Sequence, residues 1–211
     1  MGQLVVTEFV TLDGVAQAPG APEEDPENGF EFGGWQAPVM EAESGDAMFA
    51  DARGMDALLL GRKTYDIFAG YWPTAPEEIP FTGLLNAVPK YVASRTLSEP
   101  LSWVGSSLLR GDVADAVAEL KDRHDSIHLI GSLDLLRTLL DARLVDRVEL
   151  WMYPIVLGGG KRVFEPGVAP TAFEVTESVT YPRGTVKLVL SPSGVPATGD
   201  MTVDEPHLHR G

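Results

Sequence analysis

"LLLGRKTYDIFAGYWP", Leu58 to Pro73, joins an apolar run directly to Gly-Arg-Lys-Thr and then to a helical pattern. A short continuous apolar run such as "ALLL" at 57–60 is what a strand buried on both faces shows, as in a parallel sheet. Helical character resumes from Thr64 to Ala69, so the junction reads as a strand handing over to a helix. At such a junction the free N–H groups and the positive dipole end of the helix face outward and attract anions. Gly61 lets backbone approach a ligand closely, Arg62 and Lys63 bring charge, and Thr64 adds a hydroxyl in the first turn.

Working outward, "QLVVTEFV" (3–10) reads as a first strand that ends at the turn signal "TLDG" (11–14). Residues 16–38 are loaded with Pro, Gly and acids, which predicts a long loop: a lid, a binding loop or an acidic surface insertion. A helix is expected over 39–53, strands over 90–94 and 101–105, and a helix over 112–124 with Asp112 as its N-cap. A strand at 126–132, an amphipathic helix at 133–144, a longer strand running into a glycine turn at 146–160, and an antiparallel hairpin at 172–191 complete the pattern. This order predicts an α/β sandwich on a mostly parallel sheet with an antiparallel C-terminal edge hairpin. No repeat or linker divides the chain, so one domain over 1–191 is expected, followed by a loose tail over 192–211.

The 211 residues carry a net charge of −15 and a pI of about 4.5, which argues against broad contact with nucleic acid or an anionic membrane. With no cysteine, disulfides, thiolate metal sites and cysteine nucleophiles are excluded. No apolar stretch approaches the roughly 18 residues of a membrane helix, the start has no leader pattern, and Val6 stands where a myristoylation signal wants Ser or Thr, so a cytoplasmic protein is expected. No credible metal cluster emerges from His124, His128, His207 and His209. "GGGK" (158–161) is not a phosphate loop: Ile155 occupies the place of the first glycine and Arg162 follows the lysine, so the glycines read as a turn or bulge.

Two more strand ends repeat the chemistry of the first. "ASRT" places Ser94, Arg95 and Thr96 after one strand, and "LIGS" places Gly131 and Ser132 at the start of the 133–144 helix. Ligands of open α/β sheets sit outside the carboxyl ends of the strands. Three phosphate-friendly junctions in succession describe a track long enough for a dinucleotide.

The order of "LLLGRKTYDIF", "VASRT", "IHLIGS" and "VELWMYPIVLGGGKRVF" resembles the dihydrofolate reductase superfamily. With "TLDG" and "PIVLGGG" it is most similar to the branch holding the C-terminal reductase domain of bifunctional riboflavin-biosynthesis deaminase/reductases and its standalone relatives. The resemblance covers roughly residues 3–191. It implies a dihydrofolate reductase-like three-layer sandwich, NADPH as cofactor and a homodimer, with the "VELWMYP" region as a candidate interface. By the same resemblance, Gly61, Arg62, Lys63 and Thr64, together with Ser94, Arg95 and Thr96, hold the adenosine 2′-phosphate and the pyrophosphate. The family's Gly-Gly pair at the later junction is Gly131-Ser132 here, which leaves the family's cis peptide without its second glycine while Ser132 keeps a hydroxyl for phosphate.

The resemblance does not supply an acid. Counting back from Gly61 puts the carboxylate of the dihydrofolate reductase helix at Gly45, and anchoring on "WQAP" (35–38) puts it at Met40. The neighbouring Glu41 and Asp46 are each turned about 100° from those places, and they stand as catalytic candidates with Asp13, which as a plain turn former beside Gly14 has an equal claim. Trp35, Phe49 and Trp151 are the candidate aromatic contacts to a flat heterocyclic substrate, while Tyr65, Phe68, Tyr71 and Trp72 read mainly as core or dimer contact. Lys161 and Arg162 read as solvated surface charges, or as basic groups for a ribityl or ribosyl phosphate. The expectation is an NADPH-dependent reductase of a small heterocyclic or carbonyl compound. Its rivals are a protein of the same fold with a flavin cofactor and a non-catalytic nucleotide-binding or regulatory protein.

Overall fold

The computed structural model describes residues 1–200. Eight strands form one sheet: β1 (Gln3–Thr11), β2 (Ala57–Gly61), β3 (Lys90–Ala93), β4 (Ser106–Leu108), β5 (Ser126–Ile130), β6 (Arg147–Tyr153), β7 (Ala172–Thr180) and β8 (Val186–Gly194). Their spatial order is β4-β3-β2-β5-β1-β6-β8-β7. All pairings are parallel from β4 to β6, and the last two, β6 with β8 and β8 with β7, are antiparallel.

Helices cover both faces. On one side α4 (Val113–Lys121) and α5 (Leu133–Asp141) pack Val117, Leu120, Leu136 and Leu139 onto Leu4, Val6, Leu59, Leu129 and Val148. On the other, α1 (Ala42–Ala52), α2 (Arg62–Tyr71) and α3 (Pro80–Ala87) pack Ala52, Tyr65 and Leu85 against Leu58, Leu60 and Val92. Asp112 caps α4 as the sequence indicates, its Oδ1 accepting the Ala114 and Asp115 amides at 2.8 and 3.2 Å.

Several boundaries differ from the sequence reading. Residues 101–105 are not a strand: Trp103 turns inward, 2% exposed, its Nε1 donating to Asn86 Oδ1 at 2.7 Å beneath the Lys90 ammonium, and pairing begins only at Ser106. Helix α3, which the sequence reading lacked, starts at a proline preset for the first helical turn. The tail begins later than Pro192, because β8 runs on to Gly194. Pairing with β6 stops at Leu190, so no β6 partner needs the N–H that Pro192 lacks. The "VELWMYP" strand is no free surface: β6 lies between β1 and β8, and Val148, Glu149, Leu150, Trp151 and Tyr153 are all buried. His207 and His209 lie outside the described residues.

Candidate functional site

Parallel strands that end at the same side of a sheet leave a cleft there, and here it measures about 1520 Å³. All nine residues assigned to nucleotide binding from the sequence border it: Gly61, Arg62, Lys63, Thr64, Ser94, Arg95, Thr96, Gly131 and Ser132. Gly61 precedes α2 and Ser132 precedes α5 with no side chain capping either helix, so both N-termini present backbone donors toward the cleft.

The two junctions are tied to each other. Ser132 Oγ accepts the Gly61 amide at 2.9 Å and donates to Thr64 Oγ1 at 2.9 Å, while Thr64 Oγ1 donates to the Gly131 carbonyl at 3.0 Å. The hydroxyls of Ser132 and Thr64 thus hold the β2–α2 and β5–α5 turns in register rather than pointing free donors outward. Gly131 sits at φ +66°, a conformation that favours glycine, and the only cis peptide among the described residues is Glu99-Pro100. At the third junction Ser94 Oγ accepts the Thr96 and Leu97 amides at 3.1 and 3.0 Å, a local turn that sets Arg95 at the cleft.

The charges differ in how far they are engaged. Arg62 pairs with Asp66 one turn along α2 at 2.8 Å, whereas Arg95 has no ion pair among the described residues. Lys63 and Lys161 both contact Glu27, and Lys161 also contacts Asp25, so the acidic 16–38 loop reaches across to the basic wall. These lysines hold the Glu27 carboxyl down at about 2, Lys161 first and Lys63 second. Burial alone would lower Lys161, but the Asp25 and Glu27 carboxylates outweigh it and raise the ammonium. The loop is ordered on the inside: Gln17 Nε2 donates to the Asp25 and Glu27 carbonyls, Gln17 Oε1 accepts the Lys161 amide at 3.0 Å, and Trp35 Nε1 donates to the Gln17 carbonyl at 2.8 Å.

The other expected site residues lie elsewhere. Asp13 does not border the cleft; its carboxylate accepts Thr11 Oγ1 at 2.6 Å and the Leu157 and Gly158 amides, and these bonds, Thr11 foremost, lower its pKa. It is the pin between the 11–14 turn and the glycine turn. Glu41 accepts the Arg183 amide at 3.1 Å, and Asp46 is exposed on α1; neither borders the cleft. Trp35, Phe49 and Trp151 are absent from its walls as well. Trp35 packs on Tyr153, Phe49 on Phe81, and Trp151 is fully buried beside Tyr181, because β6 lies on the far side of β1 from the cleft. Of the second aromatic group, Phe68, Tyr71 and Trp72 border the cleft, while Tyr65 is core with its hydroxyl on the Trp103 amide. Lys161 and Arg162 both line the cleft: the Arg162 side chain stays exposed beside Asp13, whereas Lys161 is half-buried against Asp25 and Glu27.

Among the wall residues that the sequence reading did not single out is Glu8, 1% exposed in the middle of β1. Burial pushes its carboxyl up to about 8. The signal was available, since a carboxylate inside a β-branched and aromatic run is a charge at a position that ought to be apolar. Among the described residues no group of His, Asp and Glu is arranged to hold a metal ion, and no helix is long and apolar enough to cross a membrane.

Comparison with known proteins agrees with this architecture. The uncharacterised protein YyaP of Bacillus subtilis strain 168 is 28% identical over 155 residues, 72% of this chain and 80% of that one. A pyrimidine reductase-like protein from Corynebacterium diphtheriae superposes with a TM-score of 0.61 at 13% identity, covering 91% of this chain and 92% of that one. Dihydrofolate reductase from Enterococcus faecalis, solved in complex with NADP(H), superposes with a TM-score of 0.56 at 14% identity, covering 90% of this chain and 96% of that one. The fold is therefore that of the dihydrofolate reductase-like proteins. The family model for the RibD C-terminal domain matches residues 3–187, nearly the whole described chain, and this protein belongs to that family.

Proposed function

We propose that this protein is an NADPH-dependent reductase that delivers hydride to a small heterocyclic or carbonyl substrate in the cleft at the carboxyl ends of β1, β2, β3 and β5. The observation that carries the reading is the meeting of two uncapped helix N-termini, those of α2 and α5, with the unpaired Arg95 guanidinium in one cleft of about 1520 Å³. Backbone amides at a helix start bind phosphate oxygens without needing a net positive protein, which suits a chain of charge −15. The residues present fit the dinucleotide: the starts of α2 and α5 for its pyrophosphate, and Arg62 and Arg95 for a further phosphate. Lys63 joins them when Glu27 releases it.

When bound, the cofactor supplies the hydride. The protein's own residues bind the phosphates, fix the strand-to-helix turns through Ser132 and Thr64, and exclude water with the 16–38 loop. The NADP(H) bound in a dihydrofolate reductase of the same fold supports the cofactor, and the pyrimidine reductase-like neighbour supports a pyrimidine-like substrate. A homodimer belongs to the same proposal and is read by sedimentation.

Titration of the protein with NADPH and with NADH, following tryptophan quenching and energy transfer to the nicotinamide, tests the reading. Saturable binding with preference for NADPH supports it. Failure of both overturns it in favour of a flavin enzyme or a non-catalytic nucleotide-binding protein, and a parallel flavin titration separates those two.

A further inference from the structure

Strand β5 ends at Ile130, opposite Thr7, so Glu8 is the first residue of β1 to pass beyond that neighbour. Its side chain lies on the same side of β1 as the core residues Val6 and Val10, yet it borders the cleft. Neither of its oxygens has a hydrogen bond or ion pair with any described residue, and Oε1 is fully buried with no partner. Buried carboxylates are almost always paired, because an unmatched charge or acceptor out of water is costly. The charged groups that share the cleft come from α2 (Arg62 and Lys63), the start of α5 (Asp134), the 161–165 segment (Lys161, Arg162 and Glu165), Arg95 and the acidic loop, and none of them is paired with Glu8. With no cation paired to it, burial keeps the group protonated at neutral pH, its pKa raised to about 8. A neutral acid held at a cleft wall has one use that its surroundings do not satisfy: it can give a proton.

We infer that Glu8 is the acid of this cleft, donating its carboxyl proton to a basic heteroatom, a ring nitrogen or a carbonyl oxygen, of a heterocycle bound against the end of β1. The Oε–H bond breaks with its electron pair left on oxygen, the N–H or O–H bond forms on the ligand, and the carboxylate faces the cation it has made. No electron changes hands in that step. The inference rests on the reductase reading for its place in turnover: a bound nicotinamide dinucleotide would supply the hydride to a substrate carbon, while Glu8 gives its proton to the adjacent heteroatom and recovers one from water. It supplies the donor that Asp13, Glu41 and Asp46 do not, since all three lie off the cleft.

The test uses the whole protein with a diaminopyrimidine as probe, a weakly basic flat heterocycle whose ultraviolet spectrum differs between its neutral and protonated forms. Isotope-labelled glutamate side chains are followed by carbon NMR from about pH 5 to about pH 10. Glu8→Gln assigns the Glu8 signal, with Glu8→Ala in its place if E8Q does not fold. The expected result is a Glu8 signal that titrates near pH 8 in the free protein, moves to the carboxylate position when the probe binds, and is accompanied by the spectrum of the protonated probe. In E8Q the probe binds at least tenfold more weakly and keeps its neutral spectrum. A Glu8 signal in the ordinary carboxylate range, absence of probe binding, or equal binding with equal spectra in both proteins overturns the inference. A purely structural Glu8 would alter the melting temperature of E8Q and leave the probe spectrum unchanged, which also overturns it. NADPH titrated into the same samples judges the reductase reading separately: no NADPH binding with intact proton transfer sinks that reading alone, whereas NADPH binding with an inert Glu8 sinks the acid alone.

Discussion

The Glu27 carboxylate lies 2.6 Å from the Lys161 ammonium and also contacts Lys63, so the acidic loop ends on two of the cations that line the cleft. A phosphate entering there competes with Glu27 for the same ammonium groups. Glu27→Gln is therefore expected to tighten NADPH binding by about three- to tenfold, the scale of one or two exposed ion pairs, as read by fluorescence titration. Looser binding in that variant would show that the loop helps hold the ligand instead.

The same contact has a pH signature. The lysines hold the folded-state pKa of Glu27 at about 2 against an ordinary value of 4.5, so the contact's contribution to holding the loop is full above pH 4.5 and shrinks as pH falls from there toward 2, where the carboxylate itself protonates. Limited proteolysis within 18–30 should stay slow down to about that upper bound and accelerate below it. Glu27→Gln should remove this dependence.

Under the proposed function, Arg95 is the cation expected to distinguish NADPH from NADH, because no carboxylate among the described residues pairs with it. Arg95→Ala should weaken NADPH binding by about tenfold or more, the scale of a hydrogen bond to a charged group, and leave NADH binding within about twofold. Equal losses for both would move Arg95 from the extra phosphate to the pyrophosphate.

Ser132 joins two turns through one hydroxyl, and its removal leaves the Gly61 amide without its acceptor. Ser132→Ala should cost about 1–3 kcal/mol in urea denaturation and weaken dinucleotide binding as the turns lose register. Unchanged stability would mean that water replaces the hydroxyl at no cost.

Stability should fall as pH rises from 6.5 to 8. Glu8 binds a proton in the folded protein up to about pH 8 but in the unfolded chain only up to 4.5, so each pH unit between them favours unfolding by about 1.4 kcal/mol. Burial raises Glu149 as well, a shift of the same sign that acts upward from 4.5. His128 acts in the opposite direction below 6.5, since burial foremost, then Arg147, lowers it to about 4 and the unfolded chain takes up the extra proton there. Above 6.5 that offset is gone. Glu8→Gln should flatten the slope by the equivalent of one proton, measured by denaturant titration at a series of pH values.

What the sequence revealed was what neighbouring residues decide. Gly61 to Thr64 follow an apolar strand directly, so their position at its carboxyl end and at a helix start needs no knowledge of the rest of the chain. The aromatic wall was illegible for the opposite reason. Whether Trp151 faces a ligand depends on which strand lies beside β6, and the register that pairs it with Phe9 and Lys187 buries it within the sheet. Residues 101–105 alternate well enough for a strand, but the indole of Trp103 finds its partners in Asn86 and Lys90, and packing overrode propensity. Glu8 stands in a β-branched and aromatic run, where its charge goes unread until the end of β5 is located.

Arg183, in the turn between β7 and β8, donates to the carbonyls of Pro38 and Met40 at 2.9 and 2.8 Å while its amide meets Glu41. The downstream end of the 16–38 loop is thus moored to a hairpin that takes no part in the cleft. A chain shortened from its C-terminus past this hairpin would lose more than an edge of the sheet. It would set one end of the loop adrift, so deletion mapping would assign the cleft's properties to a segment that never lines it.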